Sequence, residues 1–319
     1  MKYVYVKAGR DNLALTVFVP WDCTKNCSFC TTKQLYKKKI ATIGEIEEKM
    51  KKLLKGFPMI KEVVISGGEP FNNLHDLWRL VLNIDRKYNI YVNTSFPKIK
   101  EEDKYYFEKV VERIKGINVS RHLNHDYSAF SSYEDMMNLC PYLPDIRINI
   151  LLNKHIDPDN LEESKDIIKH IEHIKRYKFF DIQLRANYLK TSFVYNMLGT
   201  PFYLDEYMDE TSYYINSLGR NFTRSGCEVC RTVSVEYSKN LYISFHKGLK
   251  NTLLLEKDDN GKDIFIVNDV ILTPTAEVKL DWDAKPIDTK YLLESTYMKP
   301  KDPYYNKDIY ICGRRVNMC

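Results

Sequence analysis

Three thiols crowd into a short stretch near the start of the chain, Cys23-Thr-Lys-Asn-Cys27-Ser-Phe-Cys30. Spacings of four and three let one loop wrap all three thiolates around a single iron–sulfur cube. A cube held entirely by protein takes four cysteines. Three leave one iron without a protein ligand, and an open metal position is what separates catalytic from closed structural sites. For the bare triplet, a zinc knuckle or a set of redox thiols is the competing reading. A second set comes late: Cys227-Glu-Val-Cys230, then Cys312 and Cys319. Two pairs supply the four ligands of a closed iron–sulfur or zinc site. The alternatives are thiols unrelated to metal, including a hydrogen-atom donor, or a site completed by His246 in place of the tail cysteines. Cys140 stands alone before Pro141 and reads as a buried small hydrophobe. The segment Ser66-Gly67-Gly68-Glu69-Pro70 adds two adjacent glycines, which let backbone groups approach a ligand closely.

The rest of the chain bounds these readings. At 319 residues it has room for one large domain, or one domain and a smaller one. Hydrophobic residues at 44% and charged residues at 29% exclude a mainly disordered or fibrous protein. With 48 basic against 43 acidic side chains, the formal charge of +5 is too weak to indicate a nucleic-acid partner. Eight cysteines in a chain this long do not make a disulfide scaffold. The first residues, Met1-Lys2-Tyr3-Val4-Tyr5-Val6-Lys7, are charged and alternating, unlike a signal peptide. No apolar run reaches the roughly 18–20 residues that span a bilayer. These features predict a cytoplasmic protein with no membrane partner, in a compartment where clustered cysteines hold metal.

The elements that must position these residues alternate. Strands are predicted over Leu13–Pro20, Glu62–Ser66, Asn89–Ser95, Gly116–Ser120, Ile146–Leu152 and Asp181–Arg185, each short and rich in β-branched or aromatic residues. Helices are predicted over Ile43–Lys55, His75–Tyr88, Glu101–Lys115, Tyr133–Cys140 and Leu161–Tyr177. The first opens on Thr42-Ile43-Gly44-Glu45, the pattern of a capping box. Right-handed crossovers wind such a series into a parallel sheet or barrel. Six units are fewer than the eight of a closed barrel, so the predicted fold is α/β, a partial (β/α)6 TIM-like barrel over 1–190. Residues 191–319 form a smaller, β-containing C-terminal auxiliary region. Thr191–Gly219 reads as helical and aromatic. Then come β-like runs over Thr232–Tyr237, Leu241–Phe245, Asp263–Val267, Val270–Thr273 and Glu277–Trp282, with a hairpin turn at Asn260-Gly261.

Cys-x3-Cys-x-aromatic-Cys directly after the first predicted strand, with Gly-Gly-Glu-Pro at the end of the second, resembles the radical S-adenosylmethionine superfamily. The resemblance covers roughly residues 10–190. It implies that Cys23, Cys27 and Cys30 ligate a 4Fe-4S cluster. It implies too that Gly67, Gly68, Glu69 and Pro70 receive the amino group of S-adenosylmethionine. Polar residues at the strand ends are the further cofactor candidates: Asn93 and Ser95 at the end of the third strand, and Ser120, with Arg121 beside it, at the end of the fourth. Asn149 and Arg185, on strands five and six, alternate with apolar neighbours and join them. Loop capping or a satisfied structural role is the rival reading for each of these. Reductive cleavage would give methionine and a 5′-deoxyadenosyl radical that takes a hydrogen atom from a substrate. The resemblance also implies an oxygen-sensitive enzyme and a one-electron donor such as flavodoxin or ferredoxin.

Cys227 and Cys230, opening the β-rich part, look like the Twitch-type auxiliary-cluster extension of the molybdenum-cofactor GTP cyclase family. That likeness makes Cys312 and Cys319 candidate ligands of a second iron–sulfur cluster, or of zinc. The chain departs from that family in having no cysteine in Leu241–His246 and no double-glycine tail. The leading expectation is a small-molecule substrate. Arg314 and Arg315 in Gly313-Arg314-Arg315 read first as a solvated charge pair; the rival reading has them bind a phosphate or carboxylate bidentately, which would make the substrate an anion such as a nucleotide. Modification of a peptide or protein is the second enzymatic reading, and a zinc-binding interaction module is the non-enzyme rival.

Overall fold

The structure is a computed structural model. It describes residues 4–8, 13–25, 27, 30, 32–33, 35–122, 128–141, 145–152, 169–177, 181–186, 225–227, 232–238, 241–246, 254–257, 261, 263–267, 269–281, 284–289 and 292–294. The chain forms two compact units. Unit 1 combines residues 1–117 with 250–306, and unit 2 combines 118–249 with 307–319. The sequence predicts one boundary near 190. Unit 1 draws on both ends of the chain because late strands pair with the first ones.

In unit 1 the strands β1 (Val4–Ala8), β2 (Leu13–Val19), β3 (Ile60–Gly67), β4 (Asn89–Thr94) and β5 (Gly116–Ser120) alternate with helices α1 (Ile43–Gly56), α2 (Leu74–Leu82) and α3 (Lys104–Val111). The last residues of β5 belong to unit 2. Strand β2, Leu-Ala-Leu-Thr-Val-Phe-Val, is buried on both faces, as a central parallel strand must be. It pairs in parallel with β3, and β3 with β4. The helices cover this sheet with apolar stripes: Ile46, Met50, Leu53 and Leu54 from α1, and Leu74, Leu77, Leu80 and Val81 from α2.

The predicted capping box is present at α1. The Glu45 N–H donates to Thr42 Oγ1 at 3.2 Å, and the Thr42 N–H donates to Glu45 Oε2 at 2.7 Å. Thr42→Ala should cost about 1 kcal/mol of stability, read as a lower urea midpoint at unchanged slope. Two helices are shorter than their sequence pattern. α2 ends at Leu82, and α3 is preceded by a separate 3-10 turn over Glu101–Asp103.

The late strands of unit 1 are β11 (Leu254–Lys257), β12 (Asp263–Val267), β13 (Asp269–Leu272), β14 (Val278–Lys279) and β15 (Leu292–Glu294). β11 and β12 form the expected hairpin, with Gly261 at φ 75° in the turn. β1, read from sequence only as a charged alternating start, runs parallel to both β12 and β15 in a small separate sheet. β13 runs parallel to β2.

Unit 2 contains α4 (Tyr133–Leu139), β6 (Asp145–Leu152), β7 (Asp181–Ala186), β8 (Ser225–Cys227), β9 (Thr232–Ser238) and β10 (Leu241–His246). β6, β7 and β10 are parallel neighbours, and β9 and β8 continue antiparallel. Ile148, Ile150 and Ile182 are fully buried. Arg147 and Asp181, side by side in register, form a buried ion pair. The fold as a whole is mixed α/β, with a parallel sheet of at least six strands that is not closed. Among the described residues no helix is long and apolar enough to cross a membrane. The predicted helix over 191–219 and the tail from 295 lie outside the described residues, as do residues 161–168 of the one over 161–177.

Candidate iron–sulfur and S-adenosylmethionine site

The cysteine loop leaves the end of β2 and passes over the end of β3. Cys23, Cys27 and Cys30 are all half-buried and free of disulfides. Short local bonds shape the loop. The Cys23 N–H donates to Asp22 Oδ1 at 2.7 Å, and the Cys30 N–H donates to the Cys27 carbonyl at 3.2 Å. The Lys25 N–H points at Cys23 Sγ, 3.4 Å away, the kind of outer contact that tunes metal-bound sulfur.

Burial pushes the Cys23 thiol up, and the charges of Glu69, Cys27 and Cys30 push it the same way against the Lys25 N–H. The Cys27 thiol is raised chiefly by burial, with Cys30 adding to it and Lys25 and Lys33 opposing. Burial and neighbouring thiols oppose the charged forms of Cys23 and Cys27, and a cationic metal cluster would relieve both. By this measure Cys23, Cys27 and Cys30 are the residues that would hold a cluster.

Gly67 and Gly68 are required here, but by the loop's own backbone rather than by a ligand alone. Gly67 has φ 123°, and a Cβ there would lie 2.4 Å from the Tyr36 hydroxyl and 2.8 Å from the Val19 nitrogen. A Cβ on Gly68 would lie 2.3 Å from the Trp21 carbonyl oxygen. The absent side chains let the cysteine loop lie directly on the end of β3. Two bonds fasten it: Trp21 Nε1–H donates to the Glu69 carbonyl at 2.8 Å, and Asn72 Nδ2–H to the Asp22 carbonyl at 3.3 Å.

Glu69 caps the 3-10 turn Pro70–Asn72 and is only 3% exposed. One carboxylate oxygen accepts the Phe71 N–H at 3.1 Å and the Thr94 hydroxyl. The other accepts the Ser95 N–H at 2.7 Å and the Ser95 hydroxyl at 2.5 Å. With each oxygen already taken twice, what this segment offers a ligand is backbone. The chain turns sharply after β4 through Phe96 at φ 54°, whose N–H is held by Thr94 Oγ1 at 2.8 Å. The Phe96 ring packs edge-on to Phe71 and Phe107. That packing fixes the left-handed turn and aims Thr94 and Ser95 at Glu69. Asn93 Nδ2–H reaches Ser66 Oγ at 3.2 Å, tying β4 to β3.

In unit 2, Ser120 is half-buried at the end of β5. The buried Arg121 guanidinium donates to the carbonyls of Ser120 at 2.9 Å and Ser131 at 3.0 Å and lies over Phe130, all contacts that hold its own loop. Asn149 is 7% exposed, and its Oδ1 is buried without a hydrogen-bond partner among the described residues. A buried orphan acceptor is costly unless a ligand pairs it. Arg185 stands in register with Leu151 and His246, and Cys227 with Thr232. Cys230, Cys312, Cys319 and the Arg314–Arg315 pair lie outside the described residues. Cys140 caps α4, and burial drives its thiol up to about 12, as befits an inert core thiol.

Sequence reasoning missed Tyr36, Thr94 and Trp21. Thr94 sits between two residues it did select. Tyr36 and Trp21 act across 32 and 48 residues and leave no local pattern.

A glycine-cradled three-cysteine loop at the C-terminal end of the first strands of an open parallel α/β sheet defines a class of cluster-dependent enzyme. The chain belongs to the radical SAM superfamily, whose family model matches residues 22–215. That family implies a 4Fe-4S cluster and S-adenosylmethionine, a substrate and a reductant. The fold is similar to that of Streptococcus suis SuiB bound to precursor peptide SuiA. The TM-score is 0.53 at 13% identity, over 87% of this chain and 62% of that one. SuiB bound to S-adenosylmethionine gives a TM-score of 0.51 at 12% identity, over 87% and 61%. The chain therefore spans about three-fifths of the length of these structures. No curated protein matches it.

Proposed function

We propose that the chain holds a 4Fe-4S cluster on Cys23, Cys27 and Cys30, and that it modifies a peptide through a radical generated from S-adenosylmethionine. The observation that carries the cofactor reading is the cysteine loop resting on Gly67 and Gly68. When bound, the cluster and S-adenosylmethionine supply reductive cleavage to a 5′-deoxyadenosyl radical that abstracts a hydrogen atom; the protein positions them and excludes water. The backbone of 67–70 receives the methionine end, and Asn149 offers its unpaired acceptor to a ligand. A peptide is preferred to the small molecule suggested by sequence because the fold likeness is to a structure carrying a precursor peptide. Arg314 and Arg315, which favoured an anionic small molecule, have no described position. We place the enzyme in the cytoplasm, with flavodoxin or ferredoxin as reductant. Cys227, Cys230, Cys312 and Cys319 are assigned to a second iron–sulfur or zinc site.

The test is anaerobic reconstitution followed by measurement of 5′-deoxyadenosine. Wild type should hold at least four irons and release 5′-deoxyadenosine with dithionite. A colourless protein binding only zinc would overturn the cofactor reading. Host extract should stimulate the reaction, and protease treatment of the extract should remove the stimulation. Stimulation that survives the protease and passes with the small-molecule fraction would overturn the peptide reading.

A further inference from the structure

We propose that Tyr36 is a positioning residue that fixes the cluster loop against the S-adenosylmethionine-receiving segment through its hydroxyl. The inference rests on the function proposed above. Val19 and Gly67 are the last register partners of the β2–β3 ladder. Beyond them the chain leaves β2 to form the cysteine loop, so the Val19 carbonyl and the Gly68 N–H lose the chance of a direct ladder bond. One hydroxyl bridges them. The Tyr36 O–H donates to the Val19 carbonyl at 2.9 Å and accepts the Gly68 N–H at 2.6 Å. The ladder is extended by a side-chain rung, and the gap this rung spans is where Trp21 and Asp22 lie against Gly68.

The placement of Tyr36 along the chain matters as much as its bonds. It sits in a 3-10 turn over Leu35–Lys37, just after the last cysteine. The Leu35 N–H donates to the Thr32 carbonyl at 2.9 Å, and Thr32 Oγ1 lies 3.3 Å from Cys30 Sγ. A short run of contacts therefore links Cys30 to Gly68. Among the described residues, the other ties between loop and segment, from Trp21 and to Asp22, both precede Cys23. Tyr36 is the tie on the far side. With it the loop is held at both ends, so a cluster carried by the three cysteines would be kept in one place relative to residues 67–70. The Tyr36 hydroxyl meets the Val19 carbonyl and the Gly68 N–H, so its role is exercised through Gly68 and the loop.

Tyr36→Phe removes only the hydroxyl. The control is Tyr88→Phe: Tyr88 is a buried tyrosine of unit 1, where Tyr36 is part-buried, and its hydroxyl donates to the Leu54 carbonyl at 3.0 Å, on a helix rather than on the cysteine loop. Both variants should melt slightly below wild type. Both should load wild-type amounts of iron and sulfide, since the three thiols are untouched. Only Tyr36→Phe should weaken S-adenosylmethionine binding, by about tenfold, the effect of disturbing a pair of buried hydrogen bonds. The readout is the electron paramagnetic resonance spectrum of the reduced cluster, titrated with S-adenosylmethionine. An unchanged titration midpoint would overturn the proposal, because the hydroxyl would then be merely structural. So would a Tyr36→Phe protein that loses its iron, which would give the residue a role in folding the loop itself. If wild type holds no cluster, or shows no spectral response to S-adenosylmethionine, the cofactor reading fails, an outcome distinct from either.

Discussion

Cys27→Ala should give a folded chain that cannot hold a four-iron cluster, with 5′-deoxyadenosine falling to background. The half-buried side chain is small, and its backbone carbonyl still accepts the Cys30 N–H after substitution. The loop therefore keeps its shape while the donor set drops from three thiolates to two. Two thiolates do not hold a cube that already lacks its fourth protein donor. Iron and acid-labile sulfide per chain measure the loss directly, beside thermal unfolding to show that the fold survives. Wild-type iron content with normal cleavage of S-adenosylmethionine would remove Cys27 from the ligand set.

A second large effect belongs to a residue that carries no cluster ligand. Glu69→Gln should destabilise the protein by about 3 kcal/mol, the scale of a lost buried bond to a charged group. The argument turns on which donors meet which oxygen. Each Glu69 oxygen receives one backbone N–H, from Phe71 on one side and from Ser95 on the other. Hydroxyls such as Thr94 and Ser95 rotate to suit an amide; a backbone N–H does not. Whichever way the glutamine side chain turns, its NH2 faces one fixed N–H donor. Denaturant unfolding with the cluster absent isolates this term from metal binding. A loss below about 1 kcal/mol would show that the carboxylate is not held as described.

Much of this site was legible in the chain before the structure. The triplet, the double glycine and the strand that precedes each are local patterns, and Leu13, Val63 and Ile90 announce buried strands by composition alone. Thr42 and Glu45 mark a helix start because both partners of the box lie within one turn. What the sequence could not show is where the polar ends meet. Tyr36 is one of 24 tyrosines, and nothing beside it distinguishes it. The roles of Gly67 and Gly68 were visible as backbone permissiveness, but the neighbour they admit, the Trp21–Asp22 backbone, depends on how a loop folds back across β3. The unit division was hidden for the same reason. The alternation in Val4–Ala8 is a strand pattern, but its partners lie at the opposite end of the chain.

That pairing has a consequence for synthesis. Tyr5 meets Ile264, and Leu15 meets Val270. A ribosome working at about 5–20 residues per second delivers those partners roughly 13–50 s after the strands that need them. During that interval β1 has neither neighbour and β2 has one open edge, a ready template for the wrong strand. A nascent chain stopped before residue 263 would display both, so strands made early are among the last to be completed.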